Sequence, residues 1–181
     1  MPMATQVAAA LKSMALCRTL TDAELAAIAA IVETQDIAAG KELFREGDPG
    51  NGLFLVVAGE IDVAKRGPRG DRSLARLGPG GVLGEMSLVT SDARSATGRA
   101  LVDARVLRVP AQPFRALLGA GSSAALKIAA VIAEMLARRV ATMNSLVLEL
   151  ADKADPAGKK LPALKDTELA ELHRTLQVWS F

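Results

Sequence analysis

Hydrophobic and polar residues recur at helical spacing at the start of the chain. The first segment keeps its apolar side chains on one face, and a second helix follows in which Leu25 and Ile28 share a face. Thr21 can cap this second helix, because Glu24 lies three residues later and completes the pattern of a capping box. We therefore expect residues 1–34 to form N-terminal helices.

The pattern changes to short segments separated by glycines over residues 35–110. The segments KELFRE, GLFLVVAG, EIDVAKRG and RSLARLG alternate or contain β-branched residues, and GDPGN and GPRGD are typical of turns. Strands at such short intervals, with no helix long enough for a crossover, favour an antiparallel sheet over a doubly wound one. The predicted fold is therefore α+β, an antiparallel β jelly-roll barrel flanked by the N-terminal helices and a long C-terminal helix.

Helical spacing returns after the strands. Residues 111–152 predict a short helix and then a long one, whose apolar stripe at steps of three and four residues is typical of a helix–helix interface. This stripe predicts a homodimer through residues 123–150. Residues 153–181 predict a Pro/Gly/Lys linker and an amphipathic tail helix, and the helix over 164–181 is a candidate binding segment for an unknown effector protein.

Composition and charge exclude several classes of protein. The net charge of +2 gives no general attraction to DNA or to a membrane, and no apolar run approaches the roughly 18 residues of a membrane span. The apolar N-terminus lacks the basic start of a signal peptide. The one cysteine and the one histidine, Cys17 and His173, cannot build a disulfide within the chain or a Cys/His metal site. We expect a cytoplasmic protein without a cofactor or metal.

The stretch GEMSLVTSDARSATGRA, which starts at Gly84, carries the chemistry. Glu85 follows the glycine, a segment able to form one helical turn comes next, and Arg94 lies nine residues after Glu85. A turn that opens on glycine presents backbone N–H groups to an anion, and an arginine adds a guanidinium for a phosphate. The carboxylate can accept hydrogen bonds from sugar hydroxyls. By themselves these residues fit a nucleotide site, or an Arg–Glu pair in a loop that packs a barrel.

The same stretch resembles the phosphate-binding cassette of the cyclic nucleotide-binding domain family. That cassette reads Phe-Gly-Glu, a hydrophobic residue, Ala or Ser, Leu, and then an arginine followed by a small residue and Ala. Residues 82–97 match it at Gly84, Glu85, Met86, Ser87, Leu88, Arg94 and Ala96. Leu83 stands where the family usually has phenylalanine. Glycines at the turns of AAGKELFREGDPGNGLFLVVAGEIDV extend the resemblance, which covers about residues 15–150.

The resemblance implies a role for each matching residue. Glu85 and the Gly84 backbone would hold the ribose 2′-OH, and the Ser87 N–H together with Arg94 would hold the cyclic phosphate. Ser95 would offer a hydroxyl to the phosphate or the base, which does not decide between cAMP and cGMP, and a cyclic dinucleotide also stays open as the ligand. The full set of implied ligand-binding residues is Val82, Leu83, Gly84, Glu85, Met86, Ser87, Arg94, Ser95, Ala96, Arg139, Met143 and Asn144.

The last three residues of that set lie on the predicted long helix. The segment LARRVATMN resembles the long helix of the catabolite activator type within the family. By that match, Arg139 would reach toward Glu85 and the phosphate. Met143 and Asn144 would stand where that type contacts the adenine amino group through Thr-Ser, so selectivity for adenine does not follow. Met143 also fits the apolar core of a coiled coil.

The resemblance implies a regulatory protein rather than an enzyme, and two modes of action stay open. The chain is either a cyclic-nucleotide sensor that acts through protein contacts or an adaptor that keeps the fold without binding nucleotide. Transcription factors of the family carry a winged helix-turn-helix after the long helix. The 29 residues at positions 153–181 are balanced in charge and interrupted by DPAGKKLP, so we expect no DNA binding. Hydrolysis is disfavoured because no nucleophile–base pair is evident.

Overall fold

The structure, a computed structural model, describes residues 3–68, 70–90 and 92–154. The chain divides after Met135 into two compact units. The first unit contains the strands and the helices up to the first part of the last helix, and the described part of the second unit is the remainder of that helix. The predicted tail helix over 164–181 and most of the linker before it lie outside the described residues.

The first unit opens with two helices joined by a short 3-10 turn. They are α1 (Met3–Ser13), the turn (Ala15–Cys17) and α2 (Asp22–Ala29). The predicted capping box is confirmed, because Thr21 Oγ1 accepts a hydrogen bond from the Glu24 N–H at 3.3 Å and the Thr21 N–H donates to Glu24 Oε2 at 2.7 Å. The first strand already begins at Glu33, inside the segment predicted to be helical.

The strands of the described chain pair antiparallel in two four-stranded sheets. They are β1 (Glu33–Ile37), β2 (Glu42–Phe44), β3 (Gly52–Ala58), β4 (Ile61–Gly67), β5 (Gly70–Leu77), β6 (Val82–Leu83), β7 (Thr97–Ala100) and β8 (Ala104–Pro110). The strand orders are β1-β8-β3-β6 and β2-β7-β4-β5. The predicted antiparallel jelly roll with flanking helices is confirmed. The two sheets do not close on each other, so the word barrel describes them only loosely.

Apolar side chains between the two sheets form the core that supports the site. Phe54 and Val56 of β3 and Val106 of β8 pack in one cluster with Ile61 of β4. The intervening residues of β3 are also buried, so this strand is covered on both faces. A strand buried on both faces has no polar alternation, which explains the continuous apolar run GLFLVVA.

Three helices complete the described chain. They are α3 (Met86–Val89), α4 (Ala111–Gly119) and α5 (Ser123–Ala154). In the first unit, Ile128 and Ile132 of α5 are buried, and Lys127 Nζ lies 2.8 Å from Glu24 Oε2 of α2. The first part of the stripe that predicted a dimer through residues 123–150 is therefore used to pack α5 within its own chain. This narrows the predicted interface to the later part of the helix.

Within the second unit, α5 exposes several apolar side chains. Val140, Met143 and Leu146 are 56%, 63% and 52% exposed. They follow one another at steps of three residues, so they lie along one side of the helix.

None of the helices in the described ranges is by itself long and apolar enough to cross a membrane. The helix α4 taken together with residues 123–146 of α5 meets the length and apolar composition expected of a membrane span, as a bent pair. Such a pair is weak evidence for a membrane span, because helices that pack in the core of a globular unit meet the same criteria.

Glu24 links α2 to α5 and makes stability depend on pH. Hydrogen bonds from Lys127, from the Thr21 N–H and from Ser123 lower the pKa of Glu24 from 4.5 to about 2. A carboxylate whose pKa falls on folding stabilises the protein above its unfolded pKa, and this contribution is lost as the pH drops from about 4.5 toward 2.

We expect the variant Glu24→Gln to lose less stability than the parent chain between pH 5.5 and pH 3, as measured by urea denaturation. Lys127→Met should flatten the profile in the same way. An acid profile as steep as that of the parent chain in both variants would contradict this role.

Candidate functional site

Arg94 is the centre of the predicted cassette, and its side chain is buried, with 4% of the residue exposed. Its Nη1 donates to the Gly84 carbonyl oxygen at 3.2 Å and to Ser87 Oγ at 3.1 Å. Its Nη2 donates to Asn51 Oδ1 at 2.9 Å. The structure thus brings Gly84, Ser87 and Arg94 together, as the cassette pattern predicts.

Two aromatic rings support the guanidinium of Arg94. Its Cζ lies 4.3 Å from the ring centroid of Phe44 and 5.3 Å from that of Phe54, and the two rings stack at 5.6 Å. A cation over aromatic faces is attracted by their negative charge, most strongly where water is excluded. The rings therefore hold the guanidinium in a fixed, largely apolar setting.

The charge of Arg94 is not neutralised by contact with a carboxylate. No ion pair within 4.0 Å joins it to an acidic residue in the described part of the chain, and its Nε is buried without a hydrogen-bond partner. Burial, and then the positive charge of Arg108, lower the pKa of Arg94, against smaller opposing effects of Asp48 and Glu85. An anion that reached this guanidinium would relieve the cost of burying the charge.

The loop before β3 holds the backbone of Arg94. The Arg94 N–H donates to the Asp48 carbonyl at 2.8 Å, and the Gly47 N–H donates to the Arg94 carbonyl at 2.9 Å. A Cβ on Gly50 would lie 2.4 Å from Ser87 Oγ, so only glycine allows the loop to approach the cassette this closely. The GDPGN turn thus lines the site in addition to connecting two strands.

The short helix α3 is held at both ends. At its start, Gly84 has φ +72°, a left-handed conformation that favours glycine, and Glu85 and Ser87 are buried. The Ser87 N–H, which the resemblance assigns to phosphate, donates to the Gly84 carbonyl at 3.2 Å. At its end, Arg115 of α4 donates to the carbonyls of Ser87 at 2.8 Å and Leu88 at 3.2 Å, and also to that of Thr90.

The other residues of the predicted cassette divide into core and surface. Val82, Leu83 and Ala96 are buried, and Leu83 belongs to the cluster between the sheets. Met86 is 44% exposed, and Ser95 is exposed. The first three therefore support the cassette from beneath, whereas Met86 and Ser95 are accessible from solvent.

Arg139, Met143 and Asn144 lie on α5 in the second unit, where all three are exposed. Their contact with nucleotide remains a prediction from the sequence.

Four residues that contact Arg94 or α3 were missed from the sequence: Phe44, Asn51, Phe54 and Arg115. Phe44 and Phe54 had the apolar signature of ordinary strand residues. Asn51 ends the GDPGN turn, and its position after glycine was the one available signal. Arg115 comes from a helix 21 residues after Arg94, so only folding brings it to α3.

A cavity of about 300 Å³ lies beside the aromatic support of Arg94. Its lining consists of Gln35, Leu43, Phe44, Asp48, Pro49, Asn51, Phe54 and Arg108. None of the predicted cassette residues lines it. The guanidinium of Arg94 itself packs against Phe44 and Phe54, two of the residues that form the cavity wall.

Comparison with known proteins agrees with this geometry. Residues 34–120 match the family model of the cyclic nucleotide-binding domain. The cAMP-dependent protein kinase regulatory subunit of Neurospora crassa is 35% identical over 109 residues, which are 60% of this chain and 28% of the relative. The cyclic AMP receptor protein of Thermus thermophilus is 34% identical over 113 residues, which are 62% of this chain and 52% of the relative. The chain thus spans about half the length of these curated relatives or less.

Two solved structures are matched over nearly their whole length. A cyclic nucleotide-binding-like protein from Brucella abortus is 31% identical with a TM-score of 0.55, covering 63% of this chain and 98% of the solved one. The N-terminal domain of a transcriptional regulator from Streptomyces coelicolor is 30% identical with a TM-score of 0.65, covering 74% and 94%. Sequence, fold and cassette lead to the same result, and this chain belongs to the cyclic nucleotide-binding domain family of regulatory proteins.

Proposed function

We propose that the chain is a cyclic-nucleotide sensor that binds cAMP or cGMP through residues 82–97 and passes the signal on through protein contacts. The observation that carries this proposal is Arg94, a buried cation with an unpartnered Nε and no acidic partner within 4.0 Å in the described ranges. A buried charge is costly unless it is paired. The cyclic phosphate supplies the missing negative charge.

Each part of the ligand is assigned to a chemically matching group. The cyclic phosphate contacts Arg94 and the Ser87 N–H, and the ribose 2′-OH contacts Glu85 and the Gly84 backbone. Ser95 is exposed and offers its hydroxyl to the phosphate or the base. The names of the kinase regulatory subunit and of the Thermus receptor support cAMP, while both cyclic nucleotides carry the groups that these residues recognise.

Binding would act through the hydrogen bonds that hold α3. Arg94 Nη1 donates to the Gly84 carbonyl and to Ser87 Oγ, and the Ser87 N–H also donates to the Gly84 carbonyl. An incoming phosphate competes for both donors. A ligand shifts a conformational equilibrium only as far as it binds one state better than the other. The contacts with nucleotide that the sequence assigns to Arg139, Met143 and Asn144 of α5 belong to the same proposal, and they would favour the liganded state.

The output is a change in protein contacts rather than catalysis or DNA binding. The candidate contacts are an unknown effector that binds residues 164–181 and a homodimer through the exposed apolar side of α5 around Met143. An exposed apolar side at helical spacing is the kind of surface that a second helix covers. Light scattering of the purified chain tests the dimer, and a monomer at high concentration would contradict it.

Isothermal titration calorimetry with cAMP and with cGMP tests the proposed function directly. We expect saturable binding of at least one of the two nucleotides with one site per chain. The matching non-cyclic nucleotides, AMP and GMP, serve as controls for a cassette that recognises the cyclic phosphate. If neither cyclic nucleotide binds at millimolar concentration, the chain is not a sensor for them.

One observation favours a second candidate, an adaptor that keeps the fold without binding nucleotide. Arg94 already has three hydrogen-bond acceptors and an aromatic support, so the site is partly satisfied without ligand. An adaptor would show no thermal shift with any cyclic nucleotide and would still bind its partner. The same titrations therefore separate the two candidates.

A further inference from the structure

Two cations face each other across the hairpin formed by β4 and β5. Lys65 pairs with Arg72 in the strand register, whereas the next pair joins Arg66 with Asp71, which have opposite charges. Like charges directly opposite each other on one face of an antiparallel pair are destabilising. Repulsion between Lys65 and Arg72 therefore lowers the stability of the hairpin, and a single neutral residue at either position would remove this repulsion.

By strand alternation, both side chains lie on the same face of the hairpin as Ile61 and Val63, but at its exposed end, beyond a register shift between Val63 and Ala64. Along β4, Ile61, Val63 and Lys65 alternate to the same face, and Ile61 is buried in the core cluster with Val63 packed against it. Gly67 continues this face, and a Cβ placed on it would lie 4.0 Å from Arg72 Cδ. The two cations thus extend the inner face of the sheet beyond its apolar part.

This pair lies next to the cassette. Lys65 Nζ donates to the carbonyl oxygen of Ser95 at 3.3 Å, and Ser95 directly follows Arg94. In the described part of the chain, Lys65 Nζ forms one ion pair within 4.0 Å, a long and partly solvated contact of 3.9 Å with Glu46 Oε1. Arg72 forms no ion pair within 4.0 Å with any acidic residue in the described part of the chain. Much of the positive charge at this position is therefore available to a ligand.

We propose that Lys65 and Arg72 form a second anion subsite beside the one at Arg94, and that the ligand is a cyclic dinucleotide, in which two phosphodiesters join two nucleosides into one ring. This inference rests on the proposed function, because it assumes that the first phosphate binds Arg94. A single cyclic phosphate is already matched by Arg94 and the Ser87 N–H. The second phosphate meets the ammonium of Lys65 and the guanidinium fork of Arg72, which suits phosphate oxygens in a bidentate arrangement.

Titration calorimetry with cyclic di-GMP and cyclic di-AMP, next to cAMP and cGMP, tests the inference on the full chain. The key variant is the double substitution Lys65→Gln with Arg72→Gln. Arg76→Gln is the matched control, because Arg76 is also on β5 but pairs with Asp62, on the opposite face of the hairpin. Both cations of the pair are exposed, so the fold should survive, and thermal denaturation of each variant verifies this.

At least one cyclic dinucleotide should bind the parent chain. The double variant should weaken that binding by about 10- to 100-fold more than it weakens binding of cAMP or cGMP, the range of a lost charge-assisted contact. Arg76→Gln should leave this ratio unchanged. Equal losses for both ligand classes would mean that the pair only attracts anions in general, which overturns the inference. Binding of cAMP or cGMP without binding of a dinucleotide also overturns it, and leaves the proposed function intact. If no ligand of either class binds, the proposed function fails as well.

Discussion

Replacing Arg94 with alanine is expected to weaken cyclic-nucleotide binding by about 10- to 150-fold. The loss corresponds to roughly 1.5–3 kcal/mol, the usual contribution of a hydrogen bond to a charged group. Arg94 is the buried cation of the cassette, and in the described part of the chain no carboxylate within 4.0 Å competes with a phosphate for its charge. Titration calorimetry measures the change in dissociation constant, with whichever of cAMP and cGMP the parent chain binds more tightly.

A second variant separates charge from geometry at this position. Arg94→Lys keeps the positive charge but cannot donate to Gly84, Ser87 and Asn51 from one planar group, so we expect an intermediate affinity. Arg99→Ala is the control. Arg99 is an exposed arginine on β7, the strand that follows the cassette, and it forms an ion pair with Glu42. It should bind nucleotide like the parent chain. An unchanged affinity in Arg94→Ala would place the phosphate elsewhere.

Gly84→Ala is expected to have the second large effect, and it acts on binding and stability together. A Cβ at this position would lie 2.1 Å from Arg94 Nη1, so the guanidinium must leave its place beside Gly84 and Ser87. The left-handed φ of +72° adds backbone strain of about 1–3 kcal/mol for any residue with a side chain. We expect an affinity at least about tenfold weaker, the same scale as the loss of Arg94 itself.

Gly80→Ala is the matched control for this substitution. Gly80 also has a left-handed φ, +88°, but a Cβ there would meet no atom within 4 Å. Both variants should therefore lose a similar amount of stability to backbone strain in urea denaturation. Only Gly84→Ala should lose nucleotide affinity. If the two variants bound nucleotide equally well, the position of the Arg94 guanidinium would not matter for binding.

Strands with a strong side-chain pattern were predictable, and strands made by pairing alone were not. The apolar run of β3 identified a buried strand from the sequence. The strand β1 reads ETQDI, which is mostly polar, and it is held by its partner: Glu33 and Asp36 pair with Arg108 and Arg105 of β8. These contacts join residues about 70 positions apart, and no local pattern reveals them. The two-residue strand β6 likewise exists only through its pairing with β3.

At the site, local spacing predicted which residues meet but not what surrounds them. Gly84, Ser87 and Arg94 lie within one turn and its following loop, so their proximity follows from chain connectivity. The aromatic support by Phe44 and Phe54, and the acceptor from Asn51, come from strands and loops about 40–50 residues earlier. Their roles arise because the two sheets pack face to face and enclose the guanidinium.

The sequence by itself determined the class of fold through short-range patterns, namely alternation, glycine at turns and the capping box at Thr21. It identified the cassette through the resemblance of residues 82–97 to a known family, since the spacing from Gly84 to Arg94 alone also fits a structural Arg–Glu pair. Tertiary structure alone decided the environment of Arg94, the hold of Arg115 on α3, and the burial of Ile128 in its own chain rather than in a dimer. The physical reason is the same in each case. Burial and the partners of a charge depend on which distant segments pack together, and a linear pattern records only which side chains are available to do so.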